Sequence, residues 1–285
     1  MNYKALPLHC KSLKLDCERL VPFHFDLVYV ASGLAVGLLV GLTGVGGGSL
    51  MTPLLTVLFG VPATTAVGTD LAFAAITKGA GTVVHRLRNT VNWRVVALMA
   101  SGSLPASITT IFVLHSLDIH AAGKGSPMDL FIRWSISICV MLTVCALLFK
   151  PRILKWIETN PKAQLKDSTR KVTTVVAFAI IGTLVTVSSI GAGAIGAMVL
   201  VMLYPTMKSA EIAGTDIAYA VPLTAVAAFG HYGLGTLDFS LLGALLLGSI
   251  PGITVGSYLS RAVPEKFLRG VLATTLTAVA AKLVM

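Results

Sequence analysis

The sequence predicts an all-α integral membrane protein, a polytopic helix bundle of two repeats with about eight spanning helices and two short re-entrant or broken ones. Three observations predict it. First, 55% of the 285 residues are hydrophobic and 12% are charged, with a mean hydropathy of +0.85. A soluble domain carries roughly a quarter charged residues. Second, apolar stretches recur at about the 20 residues needed to cross the hydrocarbon core. Third, one pattern is written twice at a constant offset of 146 residues. The first copy reads Gly68-Thr69-Asp70, His85, Thr90-Val91-Asn92-Trp93 and Gly102-Ser103-Leu104-Pro105. The second reads Gly214-Thr215-Asp216, His231, Thr236-Leu237-Asp238-Phe239 and Gly248-Ser249-Ile250-Pro251.

The elements follow in chain order. Residues 1–25 are mixed in polarity and read as a cytoplasmic tail. The apolar run after them is too long for a signal-peptide core and lacks a small-residue cleavage site. Apolar segments then fall at 26–43, 47–60, 62–84, 93–115 and 129–149, which form a first membrane repeat, 26–149. A basic linker, 150–171, carries Lys150, Arg152, Lys155, Lys162, Lys166, Arg170 and Lys171 with Pro151 and Pro161. The second repeat, 172–285, holds segments 172–190, 192–204, 209–230, 239–260 and 264–285. In each half the second segment is too short to cross comfortably and suits a re-entrant or half-helix.

Charge counting separates two topologies. With re-entrant short segments, eight helices span, and the tail, the 85–94 loop and the linker share the inside, as the positive-inside rule asks. With full crossing, ten helices span and the halves invert, which puts the tail and the linker on opposite sides. The eight-helix arrangement is the better fit, although it leaves Arg261, Lys266 and Arg269 outside. The formal net charge of +10 comes from lysines and arginines at segment ends, not from the basic stripe of a nucleic-acid binder. Cys10, Cys17, Cys139 and Cys145 form no C-x-x-C pair and no disulfide framework. No zinc site, nucleophile elbow or Walker loop is present, so neither a metal, a cofactor nor a catalytic residue is expected.

The chemistry concentrates in a few places. Each half has a glycine-rich break, Gly44, Gly46, Gly47 and Gly48 with Ser49 in one, and Gly191 and Gly193 after Ser188 and Ser189 in the other. Glycine lets the backbone leave the helical basin and lets a ligand approach. The helix beginning after each break offers amide donors and the positive end of a dipole to an anion. The plainer alternative is close helix packing by small residues. The second break also matches G-x-G-x-x-G, with Glu211 some 20 residues on. A helix apolar on all faces and no strand–helix alternation argue against a dinucleotide site.

Asp70 and Asp216 are the acids placed well inside apolar helices, and they are repeat equivalents. An acid in the bilayer faces a cavity, pairs or titrates. With Thr69 and Thr215 they suit either capping of a broken helix or proton coupling. His85 and His231 each follow fifteen residues after an aspartate, about four turns away along a helix. That spacing excludes pairing on one helix but not between helices, and it suits titration or donation to an anion as well as interfacial helix-end placement. Lys78, whose repeat equivalent is Thr224, suits a counter-ion for an anion or a side chain snorkelling toward Arg86 and Arg88. Trp93, Trp134 and Trp156 suit interface anchors.

Gly41-Leu42-Thr43-Gly44-Val45-Gly46-Gly47-Gly48-Ser49 through Thr52-Pro53-Leu54-Leu55, Ala66-Val67-Gly68-Thr69-Asp70-Leu71 and Gly214-Thr215-Asp216 resemble the corresponding stretches of the sulfite exporter TauE/SafE family. The resemblance runs from about residue 27 to the end and includes the duplication. It implies a bacterial inner-membrane permease for sulfite, sulfonates or related organosulfur anions, working as a secondary carrier without ATPase machinery. The chain departs from typical members in its longer tail, in an insertion at 115–129 and in the glycine-poorer second break. The expectation is a secondary transporter, most often an exporter, whose two breaks meet near the midplane and whose halves rock about a small anion. An anion channel and a membrane-embedded enzyme are the competing classes. Carrier kinetics would distinguish the first, and the sparse, twofold-related polar groups disfavour the second.

Overall fold

A computed structural model describes residues 27–43, 48–117, 127–159 and 166–259, with 270, 274, 276, 277 and 282 beyond them. The described elements are all helical: α1 (Leu27–Thr43), α2 (Gly48–Leu58), α3 (Ala63–Leu87), α4 (Trp93–Ser116) and α5 (Pro127–Thr159). After the linker come α6 (Asp167–Ser188), α7 (Ala194–Leu203), α8 (Ser209–Gly233) and α9 (Phe239–Leu259). The tail 1–25, the glycines Gly44, Gly46 and Gly47, and most of segment 264–285 lie outside the described residues.

Five of these helices, α4, α5 up to Phe149, α6, α8 and α9 up to Gly256, are long and apolar enough to cross a membrane. The chain is a multi-pass membrane protein. At 11 and 10 residues, α2 and α7 reach only about 16 Å, half of a hydrocarbon core. Large apolar side chains such as Phe112, Trp134, Ile180 and Phe229 stand exposed on the long helices, as surfaces that meet lipid do. The 150–171 linker is not a loop throughout its described part, since α5 continues through Pro151 to Thr159 and α6 begins at Asp167.

Two helix pairs approach closely, and small residues explain both. On α1, Gly33 and Gly37 lie against the backbone of Leu245 and Ser249 of α9, while Gly248 and Gly252 of α9 lie against Val30 and Leu34. Gly102 of α4 lies against Val175 of α6, and Gly182 of α6 against Ser103 of α4. A Cβ at any of these six glycines would collide with backbone or Cβ atoms, so the glycines set the interhelical distance. Between these pairs run α3 and α8, packed on each other, with α8 the most enclosed of the five span-length helices. Phe178 of α6 meets Tyr219 of α8 edge-on at 4.9 Å between centroids, in a core shared with Met51, Leu71 and Leu200.

Local signals set the helix ends. Asn92 accepts from the Val95 amide at 3.4 Å to start α4. Asp238 accepts from the amides of Ser240 and Leu241 at 2.9 and 3.0 Å to start α9. Asp129, fully buried at the start of α5, caps a different helix, since its Oδ1 accepts from the Ala63 amide of α3 at 3.0 Å. Its Oδ2 holds Arg133 at 2.9 Å.

Candidate functional site

The second break is a sharp reversal between α6 and α7. Ser189 ends α6 in the left-handed region at φ 60°, with its amide on the Val185 carbonyl at 2.7 Å. A non-glycine residue there costs about 1–2 kcal/mol, and such strain gathers at functional positions. Gly191, at φ 121°, turns the chain so that its carbonyl accepts the amides of Gly193 and Gly196 at 2.8 and 3.0 Å. The Ala197 amide bonds Gly193 at 2.8 Å. This leaves the amides of Ala194 and Ile195 as the donors of the first turn of α7. The two serines part company here. Ser188 donates to Leu184 at 2.7 Å and accepts from the Ile190 amide at 3.2 Å, so its hydroxyl serves the helix end. Ser189 is buried, and its hydroxyl turns to the Asp70 carboxylate of α3 instead of to its own helix.

Buried polar side chains gather beside this break. Ser189 neighbours Asp70 of α3, whose Oδ2 accepts from the Thr52 hydroxyl of α2 at 2.5 Å. Lys78, two turns further along α3, stands within electrostatic reach of both Asp70 and Asp216. Its ammonium donates to the Ala192 carbonyl of the break. Lys78 therefore points inward, away from Arg86 and Arg88, and is 6% exposed. Asp216 of α8 lies against Gly196 of α7, where a Cβ would collide with its Oδ1. Beyond Asp216 comes Tyr219, one turn along α8, and then Ser103 of α4. Both residues are fully buried, with their hydroxyls turned toward each other.

The remaining motif residues hold the frame. Thr69 Oγ1 accepts from the Asp238 amide at 3.2 Å, and Thr215 Oγ1 accepts from the Asn92 amide at 3.0 Å. These bonds are reciprocal, because Thr69 and Thr215 occupy equivalent places in the duplicated pattern, as do Asn92 and Asp238. The preceding glycines repeat the exchange. Gly68 lies against the Thr236 carbonyl, and Gly214 against the Thr90 carbonyl. His85 Nδ1 meets Thr90 Oγ1 at 2.8 Å, and His231 Nδ1 meets Thr236 Oγ1 at 2.9 Å. Each threonine amide also bonds its histidine's carbonyl at 3.1 Å. His231, fully buried, makes one further bond, from Nε2 to the Thr186 carbonyl at 2.9 Å.

Asp70, Lys78, Asp216, Ser189 and the Gly191–Gly193 turn are thus brought together. His85 and His231 stand at the far ends of α3 and α8, and Thr69 and Thr215 face the opposite half. Gly48 opens α2, and nothing is described of the Ser49 side chain. Sequence reasoning passed over Thr52, Gly196, Ser103 and Tyr219. Tyr219 carried a signal, since it lies three residues after Asp216 and so on the same helix face. Ser103 sat inside the duplicated Gly-Ser-x-Pro stretch.

The family model described as Sulfite exporter TauE/SafE matches residues 29–283. The chain is 33% identical over 255 residues to "Probable membrane transporter protein YjnA" of Bacillus subtilis (strain 168), covering 90% of this chain and 98% of that protein. "Probable membrane transporter protein YdhB" of the same organism is 26% identical over 244 residues, covering 84% and 92%. "Probable membrane transporter protein YunE" is 37% identical over 76 residues, covering 27% of this chain and 28% of that protein. No solved structure matches.

Proposed function

The chain belongs to the sulfite exporter TauE/SafE family and is a membrane transporter, and on that footing we propose that it is a secondary carrier for a small anion. Sulfite or a short organosulfonate is the cargo and export the direction. The observation that carries this reading is the buried group of Ser189, Asp70, Lys78 and Asp216 beside the first turn of α7. The Lys78 ammonium, the Ser189 hydroxyl and the amides of Ala194 and Ile195 are the donors an anion needs. Around this seat α1, α3 and the C-terminal segment join the five span-length helices to give about eight crossings. The tail, the 85–94 loop and the linker then lie on the cytoplasmic side of a bacterial inner membrane.

Proton coupling follows from charge balance. Two carboxylates and one ammonium leave the empty site with one net negative charge, and a bound monoanion would add a second. Each uncompensated charge held away from water costs several kcal/mol, so the anion is carried most cheaply with a proton that neutralises an aspartate, and export of the pair is driven by the anion's own outward gradient. The test is uptake of labelled sulfite into proteoliposomes under an imposed pH gradient. Asp70→Asn loses gradient-driven accumulation while remaining inserted and retaining sulfite counterflow. Undiminished gradient-driven accumulation by this variant would remove Asp70 from the coupling.

A further inference from the structure

The two copies of the duplicated pattern are fastened to different degrees, and the difference lies at the histidines. Gly68, near the start of α3, lies against Thr236 beyond the end of α8. Gly214, near the start of α8, lies against Thr90 beyond the end of α3. His85 and His231 therefore stand at opposite ends of the α3–α8 pair. Each ring turns Nδ1 to the threonine five residues on, at 2.8 and 2.9 Å. The likeness stops at Nε2. A carbonyl oxygen only accepts, so His231 donates from Nε2 to Thr186, in the last turn of α6, at 2.9 Å. His85 makes no bond from Nε2 among the described residues. It is half-buried, whereas His231 is fully buried.

Helix packing identifies the acceptor that His85 lacks. Gly37 of α1 lies against Ser249 of α9, and Gly182 of α6 lies against Ser103 of α4. Ser249 and Ser103 are repeat equivalents, so Gly37 and Gly182 correspond. Four residues on from each stand Gly41 in α1 and Thr186 in α6. Both lie in the last turn of their helix, where carbonyls have no partner of their own. The Gly41 carbonyl is thus the counterpart of the Thr186 carbonyl. The helices differ in the same sense: α6 packs on α8, and α1 makes no matching packing on α3 among the described residues. Thr186 also donates to Ser107 of α4 at 2.7 Å, while the counterparts Gly41 and Ile253 have no hydroxyl. That bond braces the acceptor at the fastened end.

We infer that the two histidines are reciprocal latches. His231 on Thr186 closes one end of the α3–α8 pair in this structure, and His85 on Gly41 closes the other end when the first opens. This rests on the carrier reading above, in which the two ends open in turn. A bond lost at one end is regained in kind at the other, so the two states stay within reach of each other.

The test is the distance between paired spin labels in the full-length chain, in nanodiscs, with its four cysteines replaced by serine. Labels at Thr183 and Tyr232 report the His231 end, and labels at their equivalents Leu38 and Arg86 report the His85 end. With both histidines in place, the Thr183–Tyr232 distance should be the shorter of the two. His231→Ala should lengthen it and shorten the Leu38–Arg86 distance. His231→Gln, whose amide donates from about the place of Nε2, should keep the original distances. His85→Ala should keep them too, and should slow sulfite counterflow about tenfold because the second latch cannot close. It tests the same proposal at the half-buried end, where loss of the ring is less costly to the fold. Unchanged distances in His231→Ala overturn the first latch, and lengthening at one end without shortening at the other overturns the reciprocity. Full counterflow by His85→Ala overturns the second latch. Absence of sulfite counterflow with both histidines in place overturns the carrier reading, whereas an exchange of the two distances in His231→Ala would still uphold the latches.

Discussion

Replacing Gly214 by alanine tests whether the duplicated Gly-Thr pair holds the two halves together. The new Cβ would stand 2.5 Å from the Thr90 carbonyl oxygen, and 2.9 Å from both Thr90 Oγ1 and His85 Nδ1. Ordinary contact begins at 3.4 Å, so α8 and the 87–92 turn must part by most of an ångström. Overpacking of this kind costs about 1–3 kcal/mol. The same displacement stretches the 3.0 Å bond from the Asn92 amide to Thr215 past useful range, which adds about 1 kcal/mol. Alanine's better helix propensity returns about 1 kcal/mol. The net loss is about 2 kcal/mol, or a melting temperature roughly 4–8 °C lower for a chain of this size. Gly79→Ala is the control, because a Cβ there meets nothing within 4 Å. It should melt with the wild type or above it. The assay is thermal unfolding of detergent-solubilised protein followed by tryptophan fluorescence. Equal melting of Gly214→Ala and wild type, or an equal fall for Gly79→Ala, would refute the close-contact reasoning.

Two further stability predictions follow from the frame. His231→Ala removes a fully buried ring bonded at both nitrogens and should cost about 2–3 kcal/mol. His85→Ala, half-buried at the equivalent place with its bond to Thr90, should cost about 1 kcal/mol; melting temperatures measured side by side check the order. Asp129→Ala deletes both the cap on Ala63 and the tie to Arg133, a loss of about 1–2 kcal/mol. Asp129→Asn keeps an oxygen for the Ala63 amide and should recover about half of that loss in the same measurement.

The helices were legible because an apolar segment in a membrane protein carries its own boundary signals. Trp93 and Phe239 open α4 and α9 where the sequence placed the segment starts, and the capping by Asn92 and Asp238 just before them emerged only with the structure. Asp70 and Asp216 were equally legible, since an aspartate inside an apolar stretch stands out by composition alone, whereas Asp129, also buried, was not, because it opens its helix. What the duplicated Gly68-Thr69 and Gly214-Thr215 do was hidden. Their partners Asp238 and Asn92 lie 169 and 123 residues away in the chain, and no local pattern encodes such a contact. The repeat suggested a cap on the neighbouring break, whereas the threonines bond amides of the opposite half. The continuation of α5 to Thr159 was hidden because its charges and prolines read as a linker. Ser103 and Tyr219 were missed for a different reason, since serine and tyrosine in apolar helices usually back-bond or pack and their meeting joins two helices far apart in sequence.

The duplicated pattern divides its residues between two tasks. Residues that repeat faithfully, Gly-Thr, His and the Thr-x-Asx turn, make the same bonds in both copies. On the rocking-carrier reading proposed above, equal bonds in both copies let one part tilt against the other without favouring either direction. The positions that break the repeat, Lys78 against Thr224 and Tyr219 against Phe73, lie inside among the buried polar groups. A change at a repeating position therefore acts on the stability of the whole frame, as computed for Gly214. On the carrier reading proposed above, a change at Lys78 acts on the anion and not on the frame. Gly196 joins the two regions: it admits the Asp216 carboxylate against the first turn of α7, so one missing side chain sets how closely the break and the acid approach.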